Sequence, residues 1–333
     1  MKAMVLENIA AIEKRPLILR DVPSPRCSPS KVLINVEVCG LCHTDLHQVE
    51  GDIHPPKLPV IPGHQIIGRV CDVGAQVQDV HVGDLVGVAW LHATCGQCRH
   101  CLAGDENLCE QALFTGFDVD GGYAEMMVAE GDFVYPLPPS LDPARAAPLL
   151  CGGIIGYRAL RLSGIQPGER LGLFGFGSSA SIAIQIARFW GCEVYVFTRS
   201  ENHRRLAEAM GAAWVGGAED TPPQPVDAAV IFAPAGRLVP QALRILRRGG
   251  TVALAGITMS PIPQMDYSLL YHERHIRSVA NSTRRDAQEL LHYATTIPIE
   301  THVQVFALEE ANEALLALKE SRLDASGVLR MRS

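Results

Sequence analysis

Three groups of residues in this sequence have types and spacings that could do chemistry. Cys95, Cys98, Cys101 and Cys109 form a C-x-x-C-x-x-C-x7-C cluster. Four thiolates close a tetrahedral shell around zinc and leave no position for a substrate, so the expected site is structural. His100 lies inside the cluster, but the cysteine set is complete without it, and spacing and flanks do not suit an iron–sulfur or redox-thiol motif. A second group is Cys42-His43-Thr44-Asp45-Leu46-His47, dense in metal ligands and proton carriers. His64 follows a proline-rich loop, and Cys151 stands far downstream beside Gly152-Gly153. Two cysteines and one histidine make a zinc site with one position open, although spacing alone does not assemble these three. The third group is Gly175-Phe176-Gly177-Ser178-Ser179-Ala180, between a predicted strand and a predicted helix. It fits G-x-G-x-x-G/A. Gly175 allows the tight turn, Gly177 admits a pyrophosphate to the backbone, Ser178 opens the helix, and Ala180 keeps helix and strand close.

The next strand ends in Thr198-Arg199-Ser200. A unit that binds NAD usually has a carboxylate there for the ribose 2′-hydroxyl. Here two hydroxyls and a guanidinium can receive a phosphate instead, with Arg204 and Arg205 one helical turn on. NADP is therefore favoured over NAD. Glu201 stands nearby, and a one-residue slip of the strand end would weaken that preference.

The elements that must position these groups come in two textures. Residues 1 to about 150 are rich in glycine, proline and short β-type runs: 31–38, 65–73 and 84–88 read as strands of an irregular barrel. From about residue 151, strands at 171–174, 193–198, 227–232 and 251–255 alternate with helices at 178–190, 202–210 and 239–246. This α/β pattern predicts a parallel sheet with helices on both faces. Helices at 285–296 and 308–320 and a strand at 328–331 complete the chain. A length of 333 residues suits two domains. The net charge of −7, from 29 basic and 36 acidic residues, speaks against nucleic acid or an anionic membrane as partner. No apolar run approaches a bilayer span and the N-terminus lacks an apolar signal core, so a cytoplasmic protein is expected. Scattered Cys27, Cys39, Cys71 and Cys192 read as small buried hydrophobes.

In order along the chain, Gly40-Leu-Cys42-His43-Thr44-Asp45-Leu-His47, Pro62-Gly63-His64, the four-cysteine lobe, Asp120-Gly-Gly-Tyr-Ala-Glu125, Leu150-Cys151 and Gly175-Phe-Gly177 resemble the zinc-dependent alcohol dehydrogenases of the medium-chain dehydrogenase/reductase superfamily. The resemblance spans the whole chain. It implies a GroES-like β-rich catalytic domain from residues 1–150 and 285–333, with a zinc lobe around 90–112. A Rossmann domain, residues 151–284, would bind the dinucleotide, and the active site would lie in the cleft between the two. Two Zn2+ per subunit are implied: a catalytic one on Cys42, His64 and Cys151, and a structural one on Cys95, Cys98, Cys101 and Cys109. Thr44 would bond the substrate alcohol, His47 would take its proton through the cofactor ribose, and Asp45 would orient the histidine ligand. Trp90 and Ile53 would line the substrate pocket. Together with Leu113, Phe114 and the loop after Gly256 they suggest an apolar site for primary aliphatic or aromatic alcohols or the matching aldehydes. A homodimer or homotetramer is expected.

Two departures from the family pattern stand out. Gln65 occupies the position after the histidine ligand where the family usually has glutamate, which removes a charge near the metal and bears on ligand exchange. The stretch Asp324-Ala-Ser326-Gly-Val-Leu329 lacks the arginine with which many relatives contact the cofactor phosphates. Polyol oxidation on the same fold, or a weakly active or non-enzymatic cofactor-binding homologue, are the competing readings.

Overall fold

The computed structural model describes residues 1–323 and 325–331. Asp324, part of the second departure above, lies outside the described residues. Contacts divide the chain into two units: 1–151 with 283–291 and 300–333, and 152–282 with 292–299. Among the described residues no helix is long and apolar enough to cross a membrane.

The first unit is built on a seven-stranded sheet. Its path runs Val303–Ala307, Ser326–Arg330, Lys31–Gly40, Gln65–Val73, Leu85–Val88 and Val134–Pro136, and Met126–Glu130 pairs with Lys31–Gly40 off that path. Lys31–Gly40 alternates buried and open positions over most of its length, with Val32, Ile34, Val36 and Val38 inward, because successive side chains point to opposite faces. Its partner Gln65–Val73 slips register twice, between Leu33 and Ile34 and between Val36 and Val38. Such irregularities bend a sheet and curve it toward a barrel. The apolar core gathers Ile34, Ile66, Val86, Val88, Tyr123 and Leu329. Fully burying one Ile or Leu there contributes roughly 1.5–3 kcal/mol.

The second unit carries a six-stranded sheet in the order Trp214–Gly216, Glu193–Phe197, Arg170–Phe174, Val226–Ile231, Leu246–Leu254, His275–Ser278. All its pairings are parallel. In chain order this is 3-2-1-4-5-6, the doubly wound dinucleotide-binding arrangement. Its central strands, Arg170–Phe174, Glu193–Phe197 and Val226–Ile231, are largely buried apolar runs, as coverage on both faces requires. Phe174 and Phe197 stack at 4.3 Å across neighbouring strands.

The predicted alternation of strands and helices is present, with ends moved by a residue or two. The strand expected at 251–255 spans Leu246–Leu254, beginning five residues earlier across a register shift between Val226 and Ala228. Residues 292–299 group with the second unit, where Tyr293 packs on Trp190, Tyr157 and Phe189. The return of the chain to the first unit is thus split by one helix, Arg284–Thr296.

That helix is anchored at its first residue. Arg284 donates to Glu106 through its backbone N–H at 2.8 Å, Nε at 3.0 and 3.1 Å and Nη2 at 2.7 Å, and its guanidinium covers the Phe133 ring. Glu106 is buried inside the four-cysteine lobe. A planar fork on a carboxylate is the strong, oriented form of an ion pair.

Candidate active site and metal centres

The helix His43–Glu50 starts with a capping box made by the candidate site residues themselves. The Thr44 N–H donates to Cys42 Sγ at 3.5 Å, and Asp45 Oδ2 accepts from the Cys42 N–H at 2.8 Å. The other carboxylate oxygen, Oδ1, lies 3.1 Å from His64 Nδ1. Asp45 therefore holds both Cys42 and His64. Because a carboxylate only accepts, the Nδ1 of His64 carries the proton and its Nε2 is left for a metal. Cys151, at the end of the first unit, completes the group. Cys42 Sγ lies 3.7 Å from Cys151 Sγ, and His64 Nε2 lies 3.4 Å from that sulfur.

These distances test the fit to zinc. Zn–S bonds of about 2.3 Å and Zn–N bonds of about 2.0 Å in a tetrahedron put sulfur–sulfur edges near 3.8 Å and sulfur–nitrogen edges near 3.5 Å. The Cys42–Cys151 and His64–Cys151 distances fall on those edges, and all three donor atoms lie within 4.8 Å of one another. The charge pattern suits a dication. The hydrogen bond from Cys151, followed by His64, holds the Cys42 thiol well below its ordinary range against the effect of burial. The same bond with Cys42, together with burial, pushes Cys151 well up. Burial is the largest single influence on His64 and acts downward, but Asp45 and Cys42 outweigh it and raise the imidazole to about 10. A metal bound by these three groups would displace protons from them, so its affinity would depend on pH.

The four cysteines of the lobe also converge within 4.8 Å of one another. Sulfur–sulfur distances are 3.9 Å for Cys95–Cys101 and 3.5 Å for Cys98–Cys101. Backbone N–H groups point at sulfur: that of Cys98 at Cys95 (3.3 Å) and that of Cys95 at Cys109 (3.5 Å). N–H donation from Gln97 and Cys98 lowers the Cys95 thiol to about 6, and desolvation raises Cys101 to about 11. His100 is not one of the four; its Nε2 accepts from Arg99 Nε at 3.3 Å.

Around the first centre, Trp90 stands edge-on to His64, with ring centroids 4.8 Å apart. Phe114 stacks on Trp90 at 5.3 Å and Phe117 tilts against it at 5.7 Å. Leu113 turns outward. Thr44 is buried, its Oγ1 3.6 Å from Cys42 Sγ. His47 sits one helical turn further on, with Asp52 Oδ2 2.7 Å from its Nδ1. Ile53 is half-buried on the turn that follows the helix. Gln65 is buried and paired with Gly40 across the sheet, where a Cβ on Gly40 would meet Gln65 Oε1 at 2.8 Å.

In the second unit Gly175 takes φ +88°, and a Cβ there would press on Ala233 at 3.1 Å. Both facts require glycine. A Cβ on Gly177 would meet nothing within 4 Å, so the space before the helix Ser178–Phe189 is open for a group to approach the backbone. Ala180 is fully buried. After the next strand, Thr198 is buried while Arg199 and Ser200 are exposed. Ser200 caps the helix Glu201–Ala209 by accepting from the His203 N–H at 3.4 Å. Glu201 is the first residue of that helix and pairs with Arg205. Arg204 donates to the Thr198 carbonyl at 3.1 Å.

An alcohol dehydrogenase GroES-like domain matches residues 28–139 and a zinc-binding dehydrogenase domain matches residues 180–296. The Mycobacterium tuberculosis protein named "Probable alcohol dehydrogenase AdhA" is 44% identical over 335 residues, 99% of this chain and 97% of that protein. An alcohol dehydrogenase of Geobacillus stearothermophilus is 35% identical over 341 residues, 100% of this chain and 99% of its own. Among solved structures, a cobalt- and zinc-bound thermostable alcohol dehydrogenase from Pyrobaculum aerophilum superposes with a TM-score of 0.89 at 26% identity, covering 99% of both chains. This chain belongs to the zinc-type medium-chain alcohol dehydrogenases. As a member of that family it is an oxidoreductase, with a GroES-like unit and a Rossmann unit. Cys42, His64 and Cys151 bring two sulfurs and one ring nitrogen together in a group that could hold a metal ion.

Some neighbours of this dehydrogenase's site leave little trace in the sequence. Asp52 gives a faint signal, a carboxylate just past the glycine that ends the helix. Phe117 is hidden in a loop without periodicity. The Arg284–Glu106 clamp joins residues 178 positions apart, and no local pattern marks it.

Proposed function

We propose that this dehydrogenase interconverts primary aliphatic or aromatic alcohols and their aldehydes, with NADP preferred over NAD and two zinc ions per chain. The observation that carries the reading is the Cys42–His64–Cys151 triad, whose donor atoms have tetrahedral spacing beside Thr44 and the Trp90 ring. When bound, zinc would polarise an alcohol or carbonyl oxygen and the nicotinamide would carry the hydride.

The chain's own residues do the rest. Asp45 fixes the tautomer of His64 and the backbone of Cys42, so that two ligands are placed by one carboxylate. The Thr44 hydroxyl, buried beside Cys42, would take up the substrate hydroxyl proton as it releases its own, and His47 would be the final acceptor of the relayed proton. Trp90, Phe114 and Phe117 form an aromatic wall that excludes water and offers a flat face to an aromatic substrate. In the second unit Gly175, Gly177, Ser178 and Ala180 would cradle the pyrophosphate. Thr198, Arg199 and Ser200 would face the adenosine ribose. Arg199 is exposed and has no ion pair among the described residues, so it is available to a 2′-phosphate.

The first unit is proposed as the catalytic domain and the second as the cofactor domain. His275–Ser278 is the outer strand of the second unit's sheet, a surface on which a homodimer or homotetramer could form. None of the ten cysteines is paired in a disulfide, which suits a reducing compartment, and the proposed location is the cytoplasm.

The test is nicotinamide absorbance during benzaldehyde reduction by zinc-replete protein, with NADPH and NADH in parallel. Faster NADPH oxidation is expected. Faster NADH oxidation would overturn the cofactor preference and leave the zinc chemistry standing. Gln65 favours a second reading, a homologue that binds cofactor without turnover. Tight NADPH binding with no oxidation across an aldehyde and ketone panel would establish that reading instead.

A further inference from the structure

We propose that Asp52 is a positioning residue for His47, holding its imidazole in the tautomer whose Nε2 can accept a proton. The inference rests on the reading of His47 as the proton acceptor and adds the group that prepares it.

The helix His43–Glu50 ends at Gly51, in the left-handed region at φ +89°. Glycine is required there twice over, since a Cβ would also meet Ile9 Cγ2 at 2.7 Å. The N–H groups of Gly51, Asp52 and Ile53 all donate to the His47 carbonyl, at 3.0, 2.8 and 3.3 Å. Three donors on one carbonyl wrap the chain tightly around His47. The turn brings the Asp52 carboxylate back onto the side chain of the same residue, with Nδ1 and Oδ2 2.7 Å apart.

An ionised carboxylate can only accept, so the Nδ1 of His47 is the donor and its Nε2 keeps a lone pair. An untethered neutral imidazole divides between both tautomers, and one of them cannot accept at Nε2. The pair is a carboxylate–imidazole unit of the kind that orients a general base in other enzymes. Its aspartate is more open than the histidine: the side chains are 58% and 23% exposed. The effect should therefore be modest, because solvent competes for Oδ2.

Other titratable groups near the turn have places of their own. His43 lies one helical turn earlier, and the His54 ring is close to Gly51. Glu50 accepts from Lys319 and from the Ile12 N–H, and Lys319 also pairs with Glu13. Among the described residues Asp52 is the carboxylate bonded to His47.

The test combines histidine 15N NMR of the zinc-loaded enzyme with kinetics of Asp52→Asn, Asp52→Ala, His47→Gln and the Asp52→Asn/His47→Gln double variant. The His47 resonances are assigned by their loss in His47→Gln. The parent should show His47 protonated at Nδ1, and Asp52→Ala should show a mixture of tautomers. Asp52→Asn should lower kcat by about 10-fold with KM changed less than about 2-fold. In the His47→Gln background the same change should cost almost nothing further. Parental kcat in both Asp52 variants with the Nδ1–H tautomer intact would overturn the proposal. So would a full additive loss in the double variant, which would mark Asp52 as structural. His47→Gln turning over at the parental rate would instead sink the relay reading and the catalytic half of the proposal, while the NMR signal would still decide whether Asp52 sets the tautomer.

Discussion

The two candidate metal centres of this dehydrogenase sit in the same unit and are built in opposite ways. The four-cysteine lobe draws every ligand from one short segment, orients its sulfurs with backbone N–H groups, and leaves three of its cysteines partly open to solvent. The Cys42–His64–Cys151 centre draws its ligands from a helix start, a loop and the end of the unit. It buries the histidine, and a buried carboxylate holds two of the three. A closed shell of like ligands can form from local sequence and needs the fold only as an anchor. An open shell must keep one position free, so its ligands have to be held by the surrounding structure.

The largest expected contrast comes from removing one ligand at each centre. Cys42→Ser should lower benzaldehyde reduction by about 1000-fold or more, since a Lewis acid supplies several kcal/mol of transition-state stabilisation. One zinc per chain should remain, with a nearly parental thermal midpoint. Cys98→Ser should do the reverse: a clear fall in the midpoint, and turnover of the folded fraction within a few-fold of the parent. Metal analysis with parallel melting curves reads both, and equal losses of activity in the two variants would erase the distinction.

Breaking the anchor of the lobe should have the next largest effect. Glu106→Gln leaves Arg284 only the exposed Asp132, 3.9 Å away, as counter-charge and should destabilise the protein by about 3 kcal/mol, the low end for breaking a buried pair, because Arg284 is 35% exposed. Denaturant unfolding measures this loss, and zinc content should fall at the lobe before it falls at the Cys42 centre. Asp45→Asn probes the other side of the comparison. It keeps the shape and removes the charge that fixes His64, and metal affinity at the Cys42 centre should drop about 10- to 100-fold, read by chelator competition, with the lobe unaffected.

The smallest effect is expected at a residue that belongs to neither centre. His92, on the strand Leu91–Ala93 just before the lobe, is buried and has no partner at Nδ1. Burial lowers it to about 4 from the ordinary 6.5. The unfolded chain therefore takes up the proton first, so the stability is fully present above 6.5 and is lost as pH falls from 6.5 toward 4. Between pH 7 and pH 5.5 this amounts to about 1 kcal/mol. His92→Phe should flatten that part of the pH–stability curve by the same amount, measured as the difference between parent and variant.

The contrast between the centres also explains what the sequence could tell. The lobe is readable from spacing, because its geometry is local. The doubly wound sheet is readable because its strands and helices alternate in chain order, and the Gly175–Gly177 turn lies where that order places it. Cys42, His64 and Cys151 can be joined only through the family resemblance, since nothing in their spacing states that they meet. Asp52, Phe117 and the Arg284–Glu106 clamp depend on a turn, a loop and a contact between segments remote in sequence, where neither hydrophobic periodicity nor motif spacing leaves a signal. The helix shared between the two units is hidden for a similar reason. Its Tyr293 follows the aromatic cluster of the second unit, which is a packing fact rather than a pattern along the chain.

The central claim is that one of the two centres is open and of mixed ligands while the other is closed and all sulfur. X-ray absorption at the zinc edge of the purified protein, with the metal counted in the same sample, tests it most directly. Two zinc ions per chain with an average shell of about three sulfurs and a histidine contribution, shifting to four sulfurs and one zinc in Cys42→Ser, is the predicted result. A single zinc per chain in the parent with a pure four-sulfur shell would contradict it.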